Sequence, residues 1–192
     1  MDRALADELL AMASEDLRVR EKLERNGSLY EGYHPKMRAV HERNADRLAE
    51  IIAECGWPGP ERVGAEAAQA AWLVVQHAIS RPALMRGVLP LLNEASGVPR
   101  WQAAHLEDRI RVFEGRKQRF GTAFDWDEFG EMSPRPIEEP GEVDRYRGEA
   151  GLPPLAQVIA EHRRQAEREP KPADPEAKRA EAEAFAREVG WR

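Results

Sequence analysis

One cysteine, Cys55, is all the thiol this chain carries, so an internal disulfide and a cysteine-cluster metal site are both excluded. At a predicted helix end it reads as a small core residue rather than a reactive thiol. The chain also lacks an apolar run long enough to span a bilayer. It has no excess of base: 29 Lys and Arg stand against 35 Asp and Glu, a net charge of −6, so no nucleic-acid footprint is expected. The opening MDRALADELLAMASED carries acids where a secretory signal is basic and then apolar. A cytoplasmic protein with neither membrane nor nucleic acid among its partners is the expectation. No short catalytic motif is present either: no glycine-rich phosphate loop, no HExxH, no GxSxG.

What the chain does have is helical periodicity. Its 192 residues, 42% hydrophobic, suit one domain with a real core plus an appendage. The least charged long stretch is Gly64–Leu92, and within it Ala70–Ile79 is apolar on almost every side, which predicts a helix buried all round. Around it the spacing predicts a first helix over Arg3–Leu23 and a second over Pro35–Cys55, closed by Gly56. Further helices are expected from Pro82, over Trp101–Phe113 and over Pro154–Glu167.

From Gly115 glycine, proline and aromatics alternate with acids, and Asp125–Asp144 holds eight acids against one base, Arg135. An extended or hairpin flap over about 115–150 is predicted, with strands near Arg119–Phe124 and Glu131–Ile137. The DWDE run lacks calcium-loop spacing and reads as solvated flap. Glu169–Pro175 is a linker, followed by a loosely packed helix over Glu176–Val189. The fold class is thus mainly α: an irregular bundle of five or six helices over 1–168 with a small flap, and a tail over 169–192.

The predicted helices place polar pairs on the faces they should bury. These are Asp16 with Arg20, His41 with Asn44, Gln76 with His77, and His105 with Asp108 and Arg109. Left unpaired, each would cost roughly 1–3 kcal/mol, and charged groups more. They are therefore expected to share one hydrogen-bonded network or to line a wet pocket, although any single one is more simply a satisfied core residue. His77, Asp16 and Asp108 are the candidate catalytic groups, with an aspartate orienting a histidine for acid/base work. Arg20, Asn44, Gln76, Arg109, Gln118, Thr122 and His41 are the candidate substrate contacts, the arginines suiting a carboxylate or phosphate. Gly121 is placed to permit a close backbone approach. A metal centre from His41, His77, His105 and an aspartate is the lesser alternative, because no helix carries two histidines four apart.

The order EDLRVR, Asn44, Gly56-Trp57-Pro58, Gly64, AAWLVVQHA, Asp108-Arg109-Ile110, Gly115, Gln118, Phe120-Gly121-Thr122, Pro136-Ile137 and VDRYRGEAGLPPL resembles an uncharacterised bacterial family catalogued only as a domain of unknown function. The resemblance runs from about Leu9 to Leu155. It implies a mainly helical bacterial domain and no activity. It points to Asp16, Arg20, Asn44, Gln76, His77, Asp108, Arg109 and Gln118. The chain departs from it at Ala123, where a glutamine is common, and His105 lies outside the motif.

The leading expectation is a small cofactor-independent enzyme that works by acid/base chemistry on a polar, anionic small molecule or peptide. Hydrolysis or elimination suits it better than redox chemistry. A non-catalytic adaptor is the second expectation. Its polar core would be structural, and its acidic flap or tail would meet a protein partner. A metal-dependent hydrolase is the third.

Overall fold

The computed structural model describes residues 1–30, 32–167 and 174–192. It is mainly α, with nine α-helices and one small hairpin among the described residues. No helix of these is long and apolar enough to cross a membrane. Two compact units divide the chain between Val98 and Pro99.

The first unit holds α1 (Arg3–Arg25), α2 (Pro35–Cys55), α3 (Pro60–Val63), α4 (Ala65–His77) and α5 (Pro82–Glu94). Local chemistry sets the ends. Asp2 Oδ1 accepts from Leu5 N–H to cap α1, and His34 Nδ1 accepts from Lys36 N–H to cap α2 ahead of Pro35. Gly56, at φ 75°, lets the chain leave α2 in a conformation that a side chain would resist. The short α3 was not foreseen, because four residues carry no periodic signal.

α4 is the hub and packs on α1, α2, α3 and α5. Ala67, Ala70 and Ala71 are buried on it, and their small size lets neighbouring helices approach closely. Leu9, Leu48, Ile51 and Met85, on the helices packed against it, are almost fully buried, as is its own Val75. The helix is not apolar to solvent on every side, however. Trp72, Leu73 and His77 are only half-buried, so the greasy run forms a broad face rather than a sheath. α1 and α2 run antiparallel, since residue 8 meets 47 and residue 15 meets 43: Arg47 pairs with Glu8 at 2.6 Å and Arg43 with Glu15 at 2.6 Å.

The second unit holds α6 (Arg100–Phe113), β1 (Phe124–Trp126), β2 (Met132–Pro134), α7 (Val143–Glu149), α8 (Leu155–Ala166) and α9 (Pro175–Glu188). The strands pair antiparallel with Asp125 opposite Ser133. β1 overlaps the expected Arg119–Phe124 only at Phe124, and β2 occupies three residues of the expected Glu131–Ile137. Asp127 builds the turn between them, accepting from Phe129 N–H and Glu131 N–H at 2.9 Å each and from Ser133 Oγ at 2.8 Å. The acidic run is therefore an organised turn as well as a solvated one.

Of the expected linker, residues 169–173 lie outside the described residues. Asp174 caps α9 through Ala177 N–H. The tail is anchored at its far end, where Trp191 is buried and stacks on Phe113 with ring centroids 5.2 Å apart. Periodicity in α9 offers little to bury; the anchoring residue lies just beyond the helix.

Candidate functional site

Three helices of the first unit aim polar side chains at one point. Asp16 from α1, His41 from α2 and His77 from the last turn of α4 meet with their donor atoms within 4.8 Å of one another. Asp16 is 1% exposed. Its Oδ2 lies 2.7 Å from His77 Nδ1, a hydrogen bond, and 3.2 Å from His41 Nε2, a contact without hydrogen-bond alignment. The other carboxylate oxygen, Oδ1, is buried and accepts no hydrogen bond from the described residues. The two imidazoles face each other with centroids 4.8 Å apart.

Burial alone would raise the Asp16 pKa, but the His41 and His77 imidazoles outweigh it and hold the carboxyl well below the usual range. Asp16 is accordingly an anion at any physiological pH. Tyr33, from the loop before α2, places its hydroxyl 2.8 Å from His41 Nδ1 and so fixes that ring. Burial, with the Glu42 charge beside it, pushes the Tyr33 phenol up and keeps it protonated. Tyr33 escaped the sequence reading because a loop residue has no periodic face to betray it.

The remaining first-unit candidates play other parts. Arg20 does not pair with Asp16: it is exposed, its long side chain reaching water although its α-carbon lies on the buried stripe. Asn44 is buried and donates from Nδ2 to Met12 O at 3.1 Å, which ties α2 to α1 beside the cluster. Gln76 is buried next to His77.

Asp108, Arg109, Gln118, Thr122 and His105 belong to the second unit, so the sequence-derived set falls into two groups, one in each unit. Asp108, at 0% exposed, is the centre of a loop. Its Oδ1 accepts from Arg119 N–H at 2.7 Å and Phe120 N–H at 3.0 Å, and its Oδ2 from Thr122 N–H at 3.0 Å and Thr122 Oγ1 at 2.9 Å. This grip draws residues 119–122 away from strand pairing, which is why β1 begins only at Phe124. Gln118 is also spent on backbone. Its Nε2 donates to Ala123 O and Arg135 O, while its Oε1 accepts from Ala123 N–H.

Gly121 does meet a close approach, but from Leu155 and Ile137 side chains, which a Cβ would meet at 3.0 and 3.2 Å. Arg147 was missed altogether. It is 2% exposed and donates to Pro153 O at 2.6 Å and to Phe120 O at 2.6 Å, closing the same loop from α7. Burial lowers the Arg109 guanidinium pKa.

His105 lies edge-on to Trp101 in the second unit, and the metal-capable group found among the described residues is Asp16, His41 and His77 of the first. Burial lowers its pKa to about 4, a drop that Asp108 partly opposes. The unfolded chain, with an ordinary histidine pKa of about 6.5, then binds more protons than the folded one. Stability from the neutral ring is full above that value and is lost as pH falls through the window from about 6.5 to about 4. Urea titrations at pH 7.5 and pH 4 should differ by up to about 3 kcal/mol from this residue, and His105→Phe should flatten that part of the profile.

A model described as "Family of unknown function (DUF6624)" matches residues 3–165. The chain belongs to that family. The DUF6624 span takes in Asp16, His41 and His77 as well as the Asp108 loop and Arg147, and stops before α9. No curated protein and no solved structure matches the chain.

Proposed function

We propose that this protein is a bacterial, cytoplasmic enzyme of hydrolase or lyase type, acting on a polar, anionic small molecule or peptide at Asp16 and His77. One observation carries the reading. A buried carboxylate sits 2.7 Å from Nδ1 of an imidazole whose side chain is still 24% exposed. With the proton on Nδ1, Asp16 fixes the tautomer and leaves Nε2 as the base available to a substrate. Arg20, one turn beyond Asp16 and exposed, is the cation at hand for an anionic group.

The test is turnover of a panel of anionic esters, amides and phosphate monoesters by the wild type and by His77→Gln. General acid/base catalysis is worth about 10²–10⁴-fold, and a loss of that size is expected. Equal rates in the two proteins would end the proposal.

The adaptor reading has one observation in its favour. Phe129 is 80% exposed at the tip of the hairpin, among Asp127, Glu128 and Glu131, as a partner-contacting residue would be. In that case a basic partner retained by wild type would be lost on Phe129→Ser and kept on His77→Gln.

A further inference from the structure

We propose that Asp16 Oδ2, His41 Nε2 and His77 Nδ1 together bind one divalent first-row transition-metal ion, of the zinc or iron(II) class. The inference rests on the reading above for where the chemistry happens and changes one role in it: with an ion on His77 Nδ1 the ring proton stands on Nε2, which then donates as an acid rather than accepting as a base. The binding of the ion stands or falls by itself.

Spacing comes first. Donors held about 2.0–2.2 Å from a tetrahedral ion lie about 3.3 Å from one another. His41 Nε2 and Asp16 Oδ2 are 3.2 Å apart, without the alignment of a hydrogen bond, and all three donors fit within 4.8 Å. The His77 contact, at 2.7 Å, is the separation that a shared proton gives and would open on exchanging that proton for an ion.

Unmet bonding capacity comes second. Asp16 Oδ1 and His41 Nε2 are buried atoms with no hydrogen-bond partner among the described residues, in residues 1% and 9% exposed. Such atoms are uncommon in folded proteins, and two of them at one cluster are free to act as donors to a cation. A cation held by Oδ2 and Nε2 would neutralise the carboxylate and occupy the nitrogen.

The surroundings agree. Tyr33 Oη lies 2.8 Å from His41 Nδ1 and can accept a hydrogen bond from Nδ1–H, the outer contact that leaves Nε2 unprotonated for a metal. The three ligands stand on three separate helices, so their spacing is set by rigid elements. Two imidazoles select a transition metal over calcium or magnesium, which prefer oxygen. Two neutral imidazoles and one carboxylate leave a divalent ion with net positive charge, suited to an anionic substrate. His77, the most exposed of the three, is where solvent and substrate would reach the open coordination position.

The experiment is metal titration of the full chain after treatment with a chelator, using Zn²⁺ and, anaerobically, Fe²⁺. Binding is read against a chromogenic competitor, with Co²⁺ absorption as a geometric probe. One equivalent of ion is expected, with micromolar or tighter affinity. His41→Gln and His77→Gln are each expected to weaken it at least 100-fold, and Tyr33→Phe about 10-fold. Circular dichroism shows that each variant is folded before its binding is read, and either glutamine variant serves should the other fail to fold. The zinc and iron arms decide which ion is preferred. No saturable binding of either, or binding unchanged in both glutamine variants, overturns the proposal. An ion bound as expected to a protein inactive on every substrate of the panel would instead sink the enzyme reading and leave this one standing.

Discussion

Asp108→Ala is expected to cost about 3–5 kcal/mol and to melt the loop between α6 and the hairpin, the largest stability loss of any single change at the residues discussed here. The carboxylate is fully buried and takes four N–H and O–H donors from Arg119, Phe120 and Thr122. Each donor left without an acceptor in a buried setting costs about 1–3 kcal/mol, and the loop can recover some of this only by opening to water. Asp108→Asn should be almost as damaging. Either oxygen position already faces N–H donors, so one of them would meet an amide NH₂ instead of an acceptor. The measurement is denaturant unfolding combined with hydrogen exchange at the Arg119, Phe120 and Thr122 amides, which should lose their protection. A cost below about 1 kcal/mol would show that Asp108 is not holding the loop, and its place among the catalytic candidates would reopen.

The same carboxylate shows where sequence reasoning stops. A helical wheel rightly buries Asp108, but burial does not say what an acid is buried against. A ligand and a distant stretch of backbone look the same from one helix. The loop it holds is 11–14 residues further on, so no local pattern could show that residues 119–122 are withheld from the hairpin. Arg147 is the mirror case: it lies on a seven-residue helix too short to show a period, and it donates to the backbone carbonyls of Phe120, Gly121 and Pro153.

Helix existence was legible wherever chemistry was local. α2 was read to its observed bounds because Pro35 opens it and Gly56 closes it. The first-unit cluster was legible in part for a different reason. Asp16, His41 and His77 each sit on an apolar face of a long helix, and long helices can bury that face only against one another. Arg20 failed the same test because a wheel gives an angle and not a reach. An arginine four carbons and a guanidinium long can leave a buried stripe and still find water.

Asp16→Asn should separate catalysis from stability. Turnover is expected to fall about 10³–10⁴-fold, because a neutral amide neither selects the His77 tautomer nor stabilises its protonated ring. That is about 4–5.5 kcal/mol of barrier. The expected loss of stability at pH 7 is smaller, about 1–2 kcal/mol. A charge-assisted bond to His77 is weakened, but a buried anion with one oxygen unsatisfied is also removed. The sign with pH follows from the lowered Asp16 pKa. A carboxyl depressed in the folded state contributes stability above its unfolded value of about 4 and loses it as pH falls toward the folded one. The gap between wild type and Asp16→Asn should therefore be widest near neutrality and close below about pH 4. The imidazole signals give a readout that needs no substrate: in chelator-treated, metal-free protein the proton shared between Asp16 and His77 should be visible downfield in wild type and absent in the variant. A variant that keeps its turnover within tenfold, or a stability gap that widens in acid, would mean that Asp16 neither orients His77 nor sits there as the anion its surroundings favour.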